Sequence, residues 1–176
     1  TVLRARAPSG HDVAVKLLHR QGAGALARFE RERRLLAALG EAEGFVPLLD
    51  VGEAREGPYL VMPLVPGGTL RDRLARGPLP LDEVLRLGKA LARALAVAHR
   101  LGIVHRDLKP ENVLFAASGQ PLVADLGLAK HFRSDAPGAS QSRALSRTGE
   151  LRGTPGYMAP EQARDAAHVG PEADVF

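Results

Sequence analysis

The sequence contains no cysteine, and none of its apolar runs approaches the roughly 18 residues that a membrane-spanning helix needs. The lack of cysteine excludes disulfides, thiol nucleophiles and zinc sites built from thiolates, and it is compatible with a reducing compartment. No signal peptide opens the chain. We therefore expect no membrane segment in this stretch of sequence.

Lysine is also scarce. Of the 24 lysines and arginines, only four are lysines, at positions 16, 89, 109 and 130. The net charge is +4, but the basic residues are dispersed among acidic ones, which is typical of a solvated surface. We therefore expect no nucleic-acid partner, and a lysine at a motif position carries more weight than it would in a lysine-rich chain.

The remaining composition, 45% hydrophobic and 25% charged over 176 residues, fits one sizeable core or two lobes that share a cleft. Alternating apolar residues between turn signals predict strands, and apolar residues at helical spacing predict helices. The predicted strands are residues 1–7, 12–18, 46–51, 58–62, 113–115 and 122–124, and the predicted helices are 26–39 and 81–101. Thr69, with Asp72 three residues later, predicts the start of a further short helix through a capping box.

The most informative stretch is residues 105–112, which read His-Arg-Asp-Leu-Lys-Pro-Glu-Asn. It resembles the catalytic loop of protein kinases. A hydroxyl that attacks the terminal phosphate of a nucleotide needs a carboxylate to orient it and accept its proton, and Asp107 suits that role. Asn112 can offer an amide oxygen to Mg²⁺, while Lys109 can neutralise charge on the transferred phosphoryl group. The competing interpretation is a polar turn that Asp107 caps and Pro110 ends.

The resemblance extends over essentially the whole chain and is closest in style to bacterial, Hanks-type serine/threonine kinases. It implies an α+β, two-lobed fold, with a small antiparallel β lobe carrying one helix and a mostly helical lower lobe. It further implies a small lobe at 1–62, a hinge at 63–68, and a partial large lobe at 69–176 with an activation segment at 125–161. The family's glycine-rich loop is missing and the large lobe is unfinished, so we expect these 176 residues to be poorly active by themselves.

Two positions in the first lobe match the nucleotide-positioning pair of such kinases. Lys16 lies in the apolar strand predicted at 12–18, and Glu32 lies on the apolar face of the helix predicted at 26–39, where a buried carboxylate needs a cation. Glu30 is a competing partner for Lys16, and a surface pair between Glu32 and Arg28 is the alternative without function. The resemblance adds residues expected around the nucleotide base: Val2, Ala14, Met62, Pro63, Val65 and Leu114.

Asp125-Leu126-Gly127 resembles the metal-binding triplet of the family, with leucine in place of the commoner phenylalanine. It implies that Asp125 binds Mg²⁺ together with Asn112 and that Leu126 packs inward. Asp-Leu-Gly alone marks a turn more often than a metal site, and the catalytic loop before it is what gives it weight here. Similarly, Asp174 matches an aspartate that holds the backbone of the catalytic loop.

Residues 128–152 are rich in serine, arginine, glycine and alanine and are predicted to form a mobile loop. We expect Thr148 to be phosphorylated and captured by Arg106, with Ser140, Ser142 and Ser146 as rival sites; mass spectrometry of active protein distinguishes these possibilities. Residues 153–161 resemble the peptide-binding end of a kinase activation segment. Within them, Thr154 is expected to bond Asp107 and Lys109 rather than accept phosphate.

The sequence thus predicts a protein serine/threonine kinase that uses ATP and Mg²⁺. Its expected partners are ATP and protein substrates, with possible self-phosphorylation in trans. The resemblance implies a cytoplasmic kinase domain and leaves open a membrane anchor elsewhere in a longer protein. A pseudokinase that acts as a nucleotide-binding or scaffold module is the alternative. Small-molecule phosphotransferases lack an activation segment that ends as Ala159-Pro160-Glu161 does, which argues against that class.

Overall fold

The computed structural model of the chain describes residues 1–17, 25–126, 130–131, 154, 156–164 and 169–176. For residues 25–28, 31, 32, 130 and 131 it describes the backbone only.

The first part of the chain forms a four-stranded antiparallel sheet. Its strands are β1 (Val2–Arg6), β2 (Asp12–Leu17), β3 (Asp50–Ala54) and β4 (Gly57–Pro63), in the spatial order β1-β2-β4-β3. The sequence predicted every end of β1, β2 and β4 to within one residue. In β2, Lys16 stands opposite Val2 on one side and Leu60 on the other, so its side chain begins from the middle of the sheet.

The predicted position of β3 was wrong. The apolar run at 46–51 predicts the strand there and a turn at 52–57, whereas β3 covers Asp50–Ala54 and the turn is residues 55–56. Val46 is buried for another reason: its N–H donates to the carbonyl of Val123, in a different strand. Pro47 has no N–H to contribute to a sheet. β3 is an edge strand with mostly exposed side chains, so it lacks the apolar alternation that signals a strand.

Three helices agree well with the sequence. Helix α1 (Ala25–Ala38) buries Phe29, Leu35 and Leu36, and α3 (Leu81–Arg100) ends just before Gly102, which adopts a left-handed φ of 77°. Helix α2 (Leu70–Leu74) carries the predicted capping box, in which Thr69 accepts from the N–H of Asp72 and the Asp72 side chain accepts from the N–H of Thr69.

The remaining elements frame residues 105–112, which we call the catalytic loop after their predicted role. Strands β5 (Ile103–Val104) and β6 (Val113–Phe115) precede and follow it, β7 (Pro121–Val123) forms a hairpin with β6, and β8 (Lys130–His131) pairs with β5. Near the end lie α4 (Pro160–Arg164) and a 3₁₀ turn at Pro171–Asp174, and further 3₁₀ turns occur at Glu41–Glu43 and Pro110–Asn112. Among the helices that can be described, none is long and apolar enough to cross a membrane.

One hydrophobic cluster joins the sheet to the helical part. It contains Leu36 of α1 and Leu60 of β4 together with Ala98 of α3 and Leu126 after β7. Backbone bonds reinforce the connection, because the N–H of Val123 donates to Gly44 across 2.8 Å. The cluster therefore lies between the sheet and the helices, and one of its members, Leu36, also lines a cavity there.

Residues 63–68, predicted as the hinge, are tied to the helical part by backbone contacts. The N–H of Gly67 donates to the carbonyl of Phe115 (2.9 Å), and the N–H of Phe115 donates to Gly68 (3.0 Å). A Cβ atom at Gly67 would lie 2.3 Å from the Phe115 oxygen, so only glycine fits there. The crossing from sheet to helices is thus fastened at its lower end to β6, directly beside the catalytic loop.

Candidate active site

The catalytic loop is held from below by a buried carboxylate. Asp174 accepts hydrogen bonds from the backbone N–H groups of His105 (2.8 Å) and Arg106 (2.7 Å). Arg106 has a φ of 71°. This left-handed conformation costs a non-glycine residue energy, and it persists only where the surrounding structure imposes it. The expectation that Asp174 holds this backbone is confirmed, and its two bonds supply that constraint.

Asp107 lies at the centre of a small polar cluster. Lys109 Nζ donates to its Oδ2 (2.7 Å), and the Thr154 hydroxyl donates to its Oδ1 (2.8 Å) while accepting from Lys109. Asn112 Nδ2 donates to the backbone carbonyl of Asp107 (2.8 Å) and, more weakly, to Oδ2 (3.2 Å). The predicted contacts of Thr154 are therefore confirmed. Both oxygens of the carboxylate are oriented, and the residue is only 7% exposed.

His105 connects this cluster to the segment before Asp125. Its Nδ1 accepts from the N–H of Asp107 (3.3 Å), and its Nε2 lies 3.0 Å from the carbonyl of Ala124. A carbonyl can only accept, so Nε2 carries a proton and donates it to the carbonyl of Ala124. The N–H of Ala124 in turn donates to the backbone carbonyl of Asn112. The two candidate metal-binding segments are therefore held in register by one side chain and one backbone bond.

Lys16 and Asp125 meet although 109 positions separate them in the sequence. Lys16 Nζ donates to Asp125 Oδ1 across 2.7 Å. Asp125 has a φ of 64°, and its carboxylate is about half exposed, whereas the Lys16 side chain is mostly buried. The sequence predicted Glu32 as the partner of Lys16, but the side chain of Glu32 lies outside the described residues. The competing candidate, Glu30, is paired with Arg33 on its own helix at 2.9 Å.

These residues open onto a cavity between the sheet and the catalytic loop. Its wall is mostly apolar, with three polar side chains at one end. The lining residues are Val2, Ala14, Lys16, Leu36, Val46, Met62, Pro63, Asn112, Leu114, Ala124 and Asp125. All the residues expected around a nucleotide base are present except Val65. Leu36, Val46 and Ala124 were not predicted, because their apolar character indicated only core packing.

The donor set at the polar end fits Mg²⁺. The amide nitrogen of Asn112 is used in bonds to Asp107, so its carbonyl oxygen is the atom left for a cation. Together with the Asp125 carboxylate it offers hard oxygen ligands, as Mg²⁺ prefers. Within the described part of the chain, no group of three or more acidic, histidine or cysteine residues could hold a metal ion. Two protein ligands suit a cation that is shared with nucleotide phosphates.

Comparison with known proteins agrees with this geometry. Residues 1–176 match the protein kinase domain family over the whole chain. The chain belongs to the protein kinase domain family. It is 39% identical over 168 residues to the serine/threonine-protein kinase PknL of Mycobacterium tuberculosis, covering 93% of this chain and 40% of that protein.

Two further bacterial relatives are similarly close to this kinase domain. The serine/threonine-protein kinase pkn2 of Myxococcus xanthus is 40% identical over 173 residues, which cover 95% of the chain and 20% of pkn2. The DNA damage-responsive serine/threonine-protein kinase RqkA of Deinococcus radiodurans is 42% identical over 172 residues, or 95% of the chain and 24% of RqkA. The chain thus spans less than half the length of these relatives.

Part of the predicted activation segment can be located in this kinase domain. Leu126 is buried as predicted, at 1% exposure, and Arg106, the predicted phosphate receptor, is also buried. Thr148 and the rival serines lie outside the described residues, so the predicted phosphorylation stays a prediction. Close to the end of the segment, Gln162 Nε2 donates to the carbonyl of Arg106 across 2.6 Å and ties α4 to the catalytic loop.

The sequence missed two polar residues that support the catalytic loop of this kinase domain. His99 of α3 contacts Asp174 Oδ2 through Nε2 at 2.8 Å, and Gln162 makes the contact just described. The apolar spacing of α3 predicts burial and does not indicate this contact of His99. A polar residue near the end of an apolar helix was the available signal, but it does not reveal a partner 75 positions later.

Proposed function

We propose that the chain is the catalytic part of a protein serine/threonine kinase, which transfers the γ-phosphate of ATP to serine and threonine hydroxyls of protein substrates. The observation that carries the proposal is the meeting of Lys16 and Asp125 at 2.7 Å at the end of the cavity that Asn112 also lines. An ammonium, a carboxylate and an amide oxygen from distant parts of the chain converge where a triphosphate and its cation need them.

Asp107 is proposed to act on the acceptor hydroxyl. Its carboxylate is already oriented by Lys109 and Thr154, so it can accept the hydrogen bond of an incoming hydroxyl and then its proton. The ammonium of Lys109 lies within hydrogen-bond distance of the same carboxylate and can stabilise charge on the phosphoryl group during transfer. Because both groups are held before substrate arrives, little reorganisation is required during the reaction.

The nucleotide is proposed to bind with its base against the apolar wall of the cavity and its phosphates at the polar end. Lys16 would neutralise phosphate charge, and Asn112 and Asp125 would hold Mg²⁺. Bound Mg²⁺ supplies neutralisation of charge on the phosphate oxygens. The direct contact between Lys16 and Asp125 has to open to admit these groups, which the exposure of Asp125 permits.

We propose serine and threonine as the acceptors for two reasons. Among protein kinases, which this chain resembles, a lysine at the position of Lys109 favours serine or threonine over tyrosine as the acceptor. The relatives are also named serine/threonine kinases. A cytoplasmic location and self-phosphorylation in trans belong to the same proposal.

The decisive test replaces Asp107 by Asn in the full-length protein. We expect turnover of a protein or peptide substrate to fall about 10²- to 10⁴-fold, the usual contribution of a general base, while nucleotide affinity changes little. Asp82→Asn is the matched control, because Asp82 lies on the exposed face of α3 in a surface pair with Arg86. Phosphate transfer that survives Asp107→Asn contradicts the mechanism. Wild-type protein that binds nucleotide but transfers no phosphate would instead be a pseudokinase.

A further inference from the structure

An exposed ionic bridge joins three separate elements next to the candidate acceptor site. Arg71 of α2 donates from Nε to Glu111 Oε1 (2.8 Å) and from Nη2 to the hydroxyl of Tyr157 (2.9 Å). The hydrogen bond from Arg71 holds the pKa of Glu111 below its usual range, and the bond to Glu111 raises the pKa of Arg71. Both groups are therefore ionised at neutral pH.

The bridge lies beside the surface that an acceptor hydroxyl must approach. Glu111 follows Lys109 by two positions, and Lys109 contacts Asp107 directly. On the other side, the N–H of Tyr157 donates to the carbonyl of Thr154 (3.0 Å), and the Thr154 hydroxyl contacts Asp107. Lys109 and Tyr157 also line one common depression. The bridge is therefore two residues from Lys109 and one backbone bond from Thr154, the two side chains that contact the Asp107 carboxylate, and a peptide with its hydroxyl at Asp107 would lie near it.

The two charges of the bridge compensate each other. The side chains of Arg71 and Glu111 are 48% and 46% exposed, so both can be reached by a peptide. A charged peptide residue at this point would meet one attractive and one repulsive partner at similar distances, and the two contributions would largely cancel. If either partner were removed, the remaining charge would act on the peptide alone.

We propose that Arg71 is a specificity-determining residue that masks the Glu111 carboxylate, so that the acceptor-peptide surface discriminates little between positive and negative residues where the peptide passes this bridge. The inference rests on the proposed kinase function and adds its selectivity for substrate charge to it. It assigns Arg71 no part in the chemical step.

The test uses the full-length protein and a set of otherwise uncharged peptides with one central serine or threonine. A single Arg, Gln or Glu is moved through the positions on either side, and kcat/KM is measured for each peptide. Arg71→Gln should raise the ratio of the Arg peptide to the Glu peptide about two- to fivefold at one or two positions, the effect of one exposed charge pair. Glu111→Gln should lower that ratio by a similar factor. Both shifts should shrink at high ionic strength.

Three controls separate charge from structure. The double variant Arg71→Gln/Glu111→Gln should return the ratio to its wild-type value. Arg71→Lys keeps the positive charge and should leave the ratio unchanged even if it alters the bond to Tyr157. Arg86→Gln removes an arginine from the surface pair on α3 and should shift the ratio at no position.

The outcomes distinguish the inference from the function beneath it. If the wild-type protein phosphorylates neither a peptide of the set nor a protein substrate, the proposed function fails and the inference fails with it. If peptides are phosphorylated but the ratio is the same in wild type, Arg71→Gln and Glu111→Gln, only the inference is overturned. A ratio that moves equally in Arg71→Lys and Arg71→Gln also overturns it, because the cause would then be altered structure rather than charge.

Discussion

At the scale of single residues, Thr154 is where the catalytic loop and the segment after it meet. Its hydroxyl donates to Asp107 and accepts from Lys109, so one oxygen closes a triangle with a carboxylate and an ammonium. Hydrogen bonds to charged groups are about twice as strong as neutral ones. Thr154 is therefore expected to hold the two side chains in their working arrangement rather than to take part in proton transfer.

Replacing Thr154 by Val, which keeps the shape but lacks the hydroxyl, should lower kcat about 10- to 100-fold. That range corresponds to about 1.5–3 kcal/mol for a hydrogen bond to a charged group. Nucleotide affinity should stay close to that of wild type, because the cavity does not include this residue. Thr154→Ser keeps the oxygen and should restore most of the activity. Equal losses in the Val and Ser variants, measured by steady-state peptide phosphorylation, would contradict this role.

The close grouping of several site residues could be predicted because these residues belong to one local motif. Asp107, Lys109 and Asn112 lie within six consecutive residues, and that spacing carries chemical meaning by itself. The Lys16–Asp125 contact and the Arg71–Tyr157 contact could not, since 109 and 86 positions separate the partners. No periodicity in a sequence encodes such a meeting, which depends on the path of the backbone between the two residues.

At the scale of elements, α2 shows how a five-residue helix acquires a defined start. The box formed by Thr69 and Asp72 satisfies N–H groups at the helix N-terminus, which would otherwise lack partners. Arg71, the proposed specificity-determining residue, lies in the first turn of this helix. The cap therefore helps to set the direction from which Arg71 reaches Glu111.

The stability that Asp72 contributes should depend on pH. Its hydrogen bond from the backbone N–H of Thr69 lowers the pKa of Asp72 below the usual value. For a carboxylate whose folded pKa is depressed, the stabilisation is present above the unfolded pKa and is lost as the pH falls through the folded pKa. We expect Asp72→Ala to lower the melting temperature by about 1–4 °C at pH 7, the effect of losing one cap.

The same comparison below about pH 4, near the ordinary pKa of aspartate, should give a smaller difference between wild type and Asp72→Ala. Thermal unfolding followed by circular dichroism at several pH values measures it. A difference that stays constant from pH 7 downward would mean that the Asp72 side chain stabilises the fold by packing rather than through its charge.

Helices and strands were predicted correctly where a single periodicity described them. The prediction failed where apolar residues were buried for a reason other than membership of the strand. Helix α3 repeats apolar residues over 20 positions, and its bounds were predicted to within one residue. The stretch before β3 is apolar because Phe45 and Val46 fill the core and pair with β7, not because they belong to the strand. A sequence pattern reports burial, but it does not report which neighbour buries the residue.

At the scale of the whole molecule, one hydrophobic core holds the two sides of the cleft together. It extends from α1 and β4 to α3 and Leu126. The two-lobed fold class could be inferred because the catalytic motif is specific, whereas the backbone pairing of Gly44 and Val46 with Val123 carries no sequence signal. Since the sheet and the catalytic loop are connected through this core, a ligand that bridges them in the cleft should stabilise the whole protein.

Nucleotide and Mg²⁺ together should therefore raise the melting temperature of the full-length protein, by linkage worth about 2.7 kcal/mol when the ligand is at 100 times its Kd. Lys16→Met removes the ammonium from the polar end of the cavity and should reduce this rise at a fixed concentration of a non-hydrolysable ATP analogue. Lys89→Met is the matched control, because Lys89 is exposed on α3, and it should keep the full rise.

Asp125→Asn separates the two ligands in the same thermal-shift experiment. It leaves Lys16 in place but weakens one of the two proposed oxygen ligands, so the rise should recover only at higher Mg²⁺ concentration, whereas raising nucleotide should be the more effective rescue for Lys16→Met. The ion pair between Lys16 and Asp125 is lost in both variants, so its loss alone cannot produce two different rescue patterns. Identical titrations of Lys16→Met, Asp125→Asn and Lys89→Met would show that nucleotide binds elsewhere and that the cleft is not its site.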